Sequence, residues 1–95
     1  MAGGLTLVNF ADDEVEISES KLVIRGNKLS PPSKRFVLVK KGLRIDKATI
    51  IKHDKKGSHQ IDIIRINHLT GQQQVRLHTN ELMYPGNYQI TAWLK

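Results

Sequence analysis

Apolar residues recur at every second position through most of this chain: Leu22 and Ile24, Phe36 and Leu38, Ala48 and Ile50, Val75 and Leu77, then Tyr88, Ile90, Ala92 and Leu94. A period of two sends successive side chains to opposite faces of an extended strand, whereas a helix needs apolar residues three or four apart. No helical period persists beyond two turns, so the pattern predicts an all-β, mostly antiparallel domain, a sandwich or saddle of about seven or eight strands. The strands are expected over residues 5–10, 14–18, 21–25, 35–40, 44–53, 60–67, 74–78 and 87–94.

Turn-forming residues separate these runs. Glycine permits positive φ and proline presets φ at a turn's second position, which suits Lys41-Gly42, Thr70-Gly71 and Pro85-Gly86. Asp54-Lys55-Lys56-Gly57-Ser58 reads as a hairpin loop with Gly57 in the left-handed region, joining two long strands. Pro31-Pro32 cannot donate ladder hydrogen bonds and reads as an extended crossing between sheets or edges. Asn80 to Met83 has the pattern of a single helical turn with Asn80 as N-cap, short of a helix.

Two runs put apolar residues on both faces. Ile61, Ile63, Ile64 and Ile66 do so within what reads as one strand, and Val37 and Val39 lie opposite Phe36 and Leu38. Such strands lie centrally, carry a bulge, or have a covered second face. Trp93 falls on the side shared with Gln89 and Thr91, where a local side chain or a further protein surface must cover it. Trp93, Val37, Val39, Ile64 and Ile66 are therefore the candidate interface residues.

The chain has 95 residues, enough for a single domain, and no cysteine, so neither disulfides nor thiolate metal sites contribute. No apolar run reaches the roughly 18 residues of a membrane span, and the first residues lack the pattern of a secretory signal; Gly3-Gly4 is as well explained as a cloning remnant. A cytoplasmic protein is the expectation. The net charge is +6, with the acids mainly in Asp12, Asp13, Glu14, Glu16 and Glu19. Lys34, Arg35, Lys40, Lys41, Lys55 and Lys56 form a candidate polyanion patch. Single-stranded nucleic acid is disfavoured as a partner, because binding it calls for exposed aromatic platforms, while Phe10, Phe36, Tyr84 and Tyr88 read as core.

Nothing in the residue pattern composes an active site. His53, His59, His68 and His78 lack the close spacing of a zinc motif, the serines sit mainly in turns, and the amino-terminal carboxylates read as a solvated cluster. There is no glycine-rich phosphate cradle. The expectation is no catalytic residue, no metal ligand and no cofactor in this chain.

The order of segments carries a resemblance. Residues 34–50, "KRFVLVKKGLRIDKATI", resemble the L-H-x-K-x-L-x-I-x-x-A stretch in the amino-terminal β-domain of the aminopeptidase N family of zinc metallopeptidases. "VRLHTNELMYPGNYQITAWLK" is similar to that domain's apolar strand followed by L-x-x-G-x-Y-x-L, and "KLVIRGNK" to its G-x-V-x-I strand. The similarity spans about residues 21–94; the family's L-H histidine falls on Val39, and its F-x-G opening is poorly kept around Ile17 to Ser20.

The resemblance implies a non-catalytic scaffold domain that packs against the zinc-bearing catalytic domain of the same polypeptide, walling one side of a substrate cavity. Zinc would belong to the parent enzyme, whose G-x-M-E-N and H-E-x-x-H motifs are absent from these residues. The chain would then be a truncated domain or a free-standing relative. Two other readings stand beside it: a basic β-module for nucleic acid or another polyanion, and an immunoglobulin-like interaction domain using its sheet edges or Trp93.

Overall fold

The computed structural model describes residues 6–7, 15–18, 20–26, 32–39 and 42–95. Its strands are β1 (Thr6–Leu7), β2 (Val15–Ile17), β3 (Lys21–Gly26), β4 (Ser33–Val39), β5 (Ile45–Asp54), β6 (Gly57–Ile61), β7 (Ile63–Leu69), β8 (Gln74–Met83) and β9 (Asn87–Leu94). They form two sheets, one of four strands in the order β1-β4-β8-β7 and one of five in the order β2-β3-β9-β5-β6. Every pairing among the described strands is antiparallel. The all-β architecture expected from the two-residue period is the one observed.

The sheets face each other across the residues whose alternation announced them. Leu22, Ile24, Ile50, Ile90 and Ala92 are buried from the five-stranded sheet, and Phe36, Leu38, Val75 and Leu77 from the four-stranded one. Phe36 meets Tyr88 edge to face across the interior, ring centroids 5.7 Å apart and planes at 66°, a geometry that sets the positive edge of one ring on the negative face of the other.

Strand β5 departs from strict alternation in a useful way. Ile45 and Ala48, three residues apart, both turn to the core because the register against β9 slips between Ile45 and Lys47. A bulge of this kind inserts one residue and so lets an odd spacing serve one face. Leu43, just before the strand, packs on the core as well.

The isoleucine run is not one strand. The chain leaves the five-stranded sheet after Ile61, which pairs with Ile50, and enters the four-stranded sheet at Ile63, which pairs with Thr79. Asp62 alone separates the strands. Ile61 is buried from one sheet, and Ile63 and Ile66 pack on the core from the other. Ile64 occupies a register slip between Ile63 and Arg65 and is 64% exposed. The run therefore covers both faces because the strand changes sheets, leaving Ile64 as the bulged residue.

Two further expectations are corrected. Asn80 to Met83 is strand, not a helical turn: β8 runs on to Met83, which is buried and lies opposite Ser33, and the Asn80 N–H donates to the Asp62 carbonyl at 3.3 Å. The buried Thr79 hydroxyl donates to the Glu81 carbonyl at 2.9 Å, satisfying locally what a helix would have satisfied in sequence. Tyr84, expected in the core, is 56% exposed in the turn after β8. Between Asp54 and Gly57 a hairpin joins β5 to β6 as expected, but Gly57, at φ 135°, is positive without entering the left-handed helical region expected for it.

The turn before β9 is locked by its tyrosine. Tyr88 is buried at the start of the strand and its hydroxyl donates to the Tyr84 carbonyl at 2.5 Å, four residues upstream. A tyrosine bonding back across a corner in this manner recurs in immunoglobulin-like sandwiches. Lys52 lies over the same ring, its Nζ 5.5 Å from the centroid.

Candidate functional site

Each sheet turns one face to the interior and one outward, and the register places the candidate residues on both outward faces. On the five-stranded sheet Trp93 lies between Lys21 of β3 and Lys47 of β5. Their Nζ atoms stand 5.9 and 4.9 Å from the indole centroid, close enough for cation–π attraction. The two lysines from the flanking strands thus form a local cover, and Trp93 is half-buried beneath them. Val23, Thr49 and Ile51 on this face are also half-buried, and Thr91 is only 8% exposed.

On the four-stranded sheet Val37 and Val39 are half-buried on the outward side of β4, opposite Arg76 and Gln74 of β8. Ile66 instead faces the core and Ile64 stands free in its bulge. The candidate interface residues therefore do not share one surface. The basic candidates separate as well: Lys34 and Arg35 are exposed on β4, and Lys55 and Lys56 in the hairpin turn of the other sheet. Lys40, Lys41, Phe10, Pro31, Asp12, Asp13, Glu14, Glu19 and Gly3-Gly4 lie outside the described residues.

Register creates a grouping that linear order hides. Arg35 of β4 and Arg65 of β7 both pair with His78 of β8, so one cross-strand row reads Arg35, His78, Arg65. The next row outward reads Val37, Arg76, Asn67. Arg76 is steadied by Gln74, whose Oε1 accepts from its Nε and from a terminal nitrogen, each at 3.4 Å. Burial draws the His78 ring below its ordinary 6.5, and the charges of Arg65, Arg35 and Arg76 add to the effect in that order. Its Nε2 is buried and, among the described residues, has no hydrogen-bond partner. Arg65, Arg76 and His78 were absent from the sequence-level patch, since only strand pairing brings them to Arg35.

The other histidines do different work. His68, on the inner side of β7, accepts through Nε2 from the Ile45 N–H of β5 at 3.0 Å. His53 Nδ1 lies 2.6 Å from the Ser58 hydroxyl across the hairpin, both exposed. A shallow depression of about 300 Å³ lies beside them, lined by Arg25, Gly26, His53, Asn87, Tyr88 and Gln89. Arg25 there is engaged with Glu16 at 3.1 Å. Among the described residues no three His, Asp or Glu side chains gather where they could hold a metal ion, and no helix is long and apolar enough to cross a membrane.

Compared with protein-family models and with curated proteins, the chain matches none. The fold and the geometry of its two outward faces thus define the class: an all-β, two-sheet domain with a lysine-covered tryptophan on one face and an arginine–histidine row on the other.

Proposed function

We propose that this chain serves as a non-catalytic β-scaffold, of the kind that forms the amino-terminal domain of aminopeptidase N-type enzymes, and packs against a catalytic domain of the same parent polypeptide. The observation that carries the reading is the bulge in β5. It allows Ile45 and Ala48, the I-x-x-A of the resemblance, to reach the core together from an odd spacing. The second distinctive piece, G-x-Y, is also put to structural use, since Tyr88 closes the corner onto Tyr84.

The contact surface in this reading is the outward face of the five-stranded sheet, where Val23, Ile51 and Trp93 are half-buried and Thr91 almost wholly so. Apolar residues rimmed by long basic side chains suit a docked protein surface, and Lys21 and Lys47 can fold back as the partner covers the indole.

The decisive test is the reading frame. H-E-x-x-H with a downstream glutamate encoded after this segment supports the scaffold; a complete gene product without them overturns it. Biochemically, the separately produced catalytic domain should form a one-to-one complex with this chain that weakens on Trp93→Ala. Stoichiometric zinc together with hydrolysis of amino-acid amides by the 95-residue chain alone would sink the proposal.

The Tyr88 corner also favours a second reading, an immunoglobulin-like interaction domain. A homodimer, or a captured partner lacking any peptidase domain, lost on the same Trp93→Ala change, would select that reading.

A further inference from the structure

Among the described strands the two sheets end in four edges, and three of these are guarded against further pairing. β1 and β2 have only two and three residues, and β7 carries the register slip at Ile64 together with Arg65. Shortness, bulges and charge are the means by which natural edges turn away an additional strand. β6 has neither bulge nor charge. Gly57-Ser58-His59-Gln60-Ile61 contains no Lys, Arg, Asp, Glu or Pro, and it pairs with β5 in unbroken register over all five residues.

The hairpin fixes which backbone groups this edge presents. Asp54 pairs with Gly57 across a two-residue turn, which makes them a hydrogen-bonded pair. Pairs alternate along an antiparallel ladder, so His53 with Ser58 and Ile51 with Gln60 are non-hydrogen-bonded pairs. The 2.6 Å contact between His53 Nδ1 and the Ser58 hydroxyl agrees, since side chains stand closest across such a pair. The N–H and C=O groups of Ser58 and Gln60 therefore turn away from β5, toward a side where no strand follows among the described residues.

We infer that a second copy of this chain adds its own β6 to this edge, antiparallel, about a two-fold axis through His59. In that register Ser58 pairs with Gln60 of the second copy and Gln60 with Ser58 of the second copy, each pair exchanging two backbone hydrogen bonds. The charges at the ends of the strand select a second copy over a foreign peptide. Lys56 precedes the strand and Asp62 follows it, both exposed. Antiparallel pairing about His59 sets Lys56 of each copy opposite Asp62 of the other, so the edge complements itself as a two-fold interface must. Moving the axis to Ser58 or to Gln60 would lose both ion pairs. The product is one continuous sheet with five strands from each copy. Five residues a side make a small contact, so the dimer is weak and depends on concentration. It does not rest on the scaffold reading, whose contact surface is the sheet face around Trp93.

The experiment follows the full chain on dilution, by sedimentation and by amide NMR. The average mass should climb from one chain toward two between about 10 µM and about 1 mM, with shifts concentrated at Ser58, His59 and Gln60. Gln60→Pro should weaken association by about tenfold or more and still fold, because the N–H it removes lies outside the ladder with β5. Asp62→Lys should weaken association by about fivefold or more, and adding Lys56→Asp should restore it. The chain has no cysteine of its own. His59→Cys should therefore oxidise to a disulfide-linked dimer, since the axis brings the two copies of that residue to about 4.5 Å at Cα. Lys34→Cys, on the other sheet, should cross-link far more slowly. A chain that stays single over the whole range, equal cross-linking of the two cysteine variants, or an Asp62→Lys loss that Lys56→Asp fails to rescue overturns the pairing. A dimer indifferent to Gln60→Pro and abolished by Trp93→Ala overturns it in favour of the sheet face.

Discussion

His68 of β7 accepts a hydrogen bond from the backbone N–H of Ile45 in β5, 3.0 Å away, and so joins the two sheets through a polar contact as well as through their apolar faces. Ile45 sits at the register slip against β9, and the imidazole bonds the N–H at that irregular position. His68→Ala should leave that part-buried donor unpaired and lower the unfolding free energy by about 1–3 kcal/mol in urea titrations. A change below about 0.5 kcal/mol would show that the bond contributes little, with water taking the place of the imidazole.

Ile61 and Ile64 lie three residues apart yet on opposite sides of the Asp62 crossing, one buried and the other 64% exposed. Ile61→Ala should cost about 2–5 kcal/mol through lost burial and an imperfectly filled cavity. Ile64→Thr should change stability by no more than about 0.5 kcal/mol. Equal costs for the two, measured by the same denaturation, would contradict the sheet change.

Burial pushes the Tyr88 phenol above its usual 10.0, and the Glu81 carboxylate adds to the shift. A phenol whose folded-state value is raised favours the neutral form in the folded protein. Its contribution is therefore whole below the unfolded value near 10.0 and is lost as the pH climbs through the raised one. Wild-type stability should fall at strongly alkaline pH, and Tyr88→Phe should flatten that fall. At neutral pH the same change should cost about 1 kcal/mol for the bond to Tyr84. A Tyr88→Phe variant with an unaltered alkaline limb would rule this out.

The sign is opposite in pH for His78. Its folded-state value lies below 6.5 through burial and the neighbouring Arg65, Arg35 and Arg76, so the unfolded chain binds the proton first as the solution is acidified. Its share of stability is full above the unfolded value near 6.5 and is lost as pH falls through the lowered one. In phosphate-free buffer, His78→Gln should remove part of the decline in urea midpoint between neutral and mildly acidic pH. An identical decline in both proteins would refute the assignment.

Trp93 reports on its two lysines. Lys47→Met, which keeps the length of the side chain but not its charge, should weaken stability by about 0.5–1 kcal/mol, the scale of an exposed cation–π contact. Lys21→Met should do less, its Nζ standing at 5.9 Å against 4.9 Å for Lys47. The fluorescence of the chain's one tryptophan gives a direct readout; identical emission and stability in both variants would mean that the lysines merely lie nearby.

Much of the architecture could be read from alternation alone, because a pleated strand converts position parity directly into inside or outside. Leu22, Ile24, Phe36, Leu38, Val75, Leu77 and Ile90 all fall where parity puts them. Parity fails where the chain changes layers without changing its rhythm: Ile61-Asp62-Ile63 alternates as any strand would, so nothing local marks the crossing at Asp62. It fails again at Asn80 to Met83, whose cap-like asparagine suits a helix as well as a strand, and where pairing of Met83 with Ser33 decides the matter. The arginine row was hidden for a deeper reason. Arg35, Arg65 and His78 are distant in sequence, and only long-range register, which no single segment encodes, makes them neighbours.

The single-residue crossing at Asp62 has a consequence for how the molecule comes apart. With so little slack between β6 and β7, a free end of one layer never drifts far from its place on the other, and re-closure at that corner is nearly without entropic cost. Fraying should therefore begin at the opposite margins, at β1 and β2, while the corner persists until the whole assembly melts as one cooperative unit.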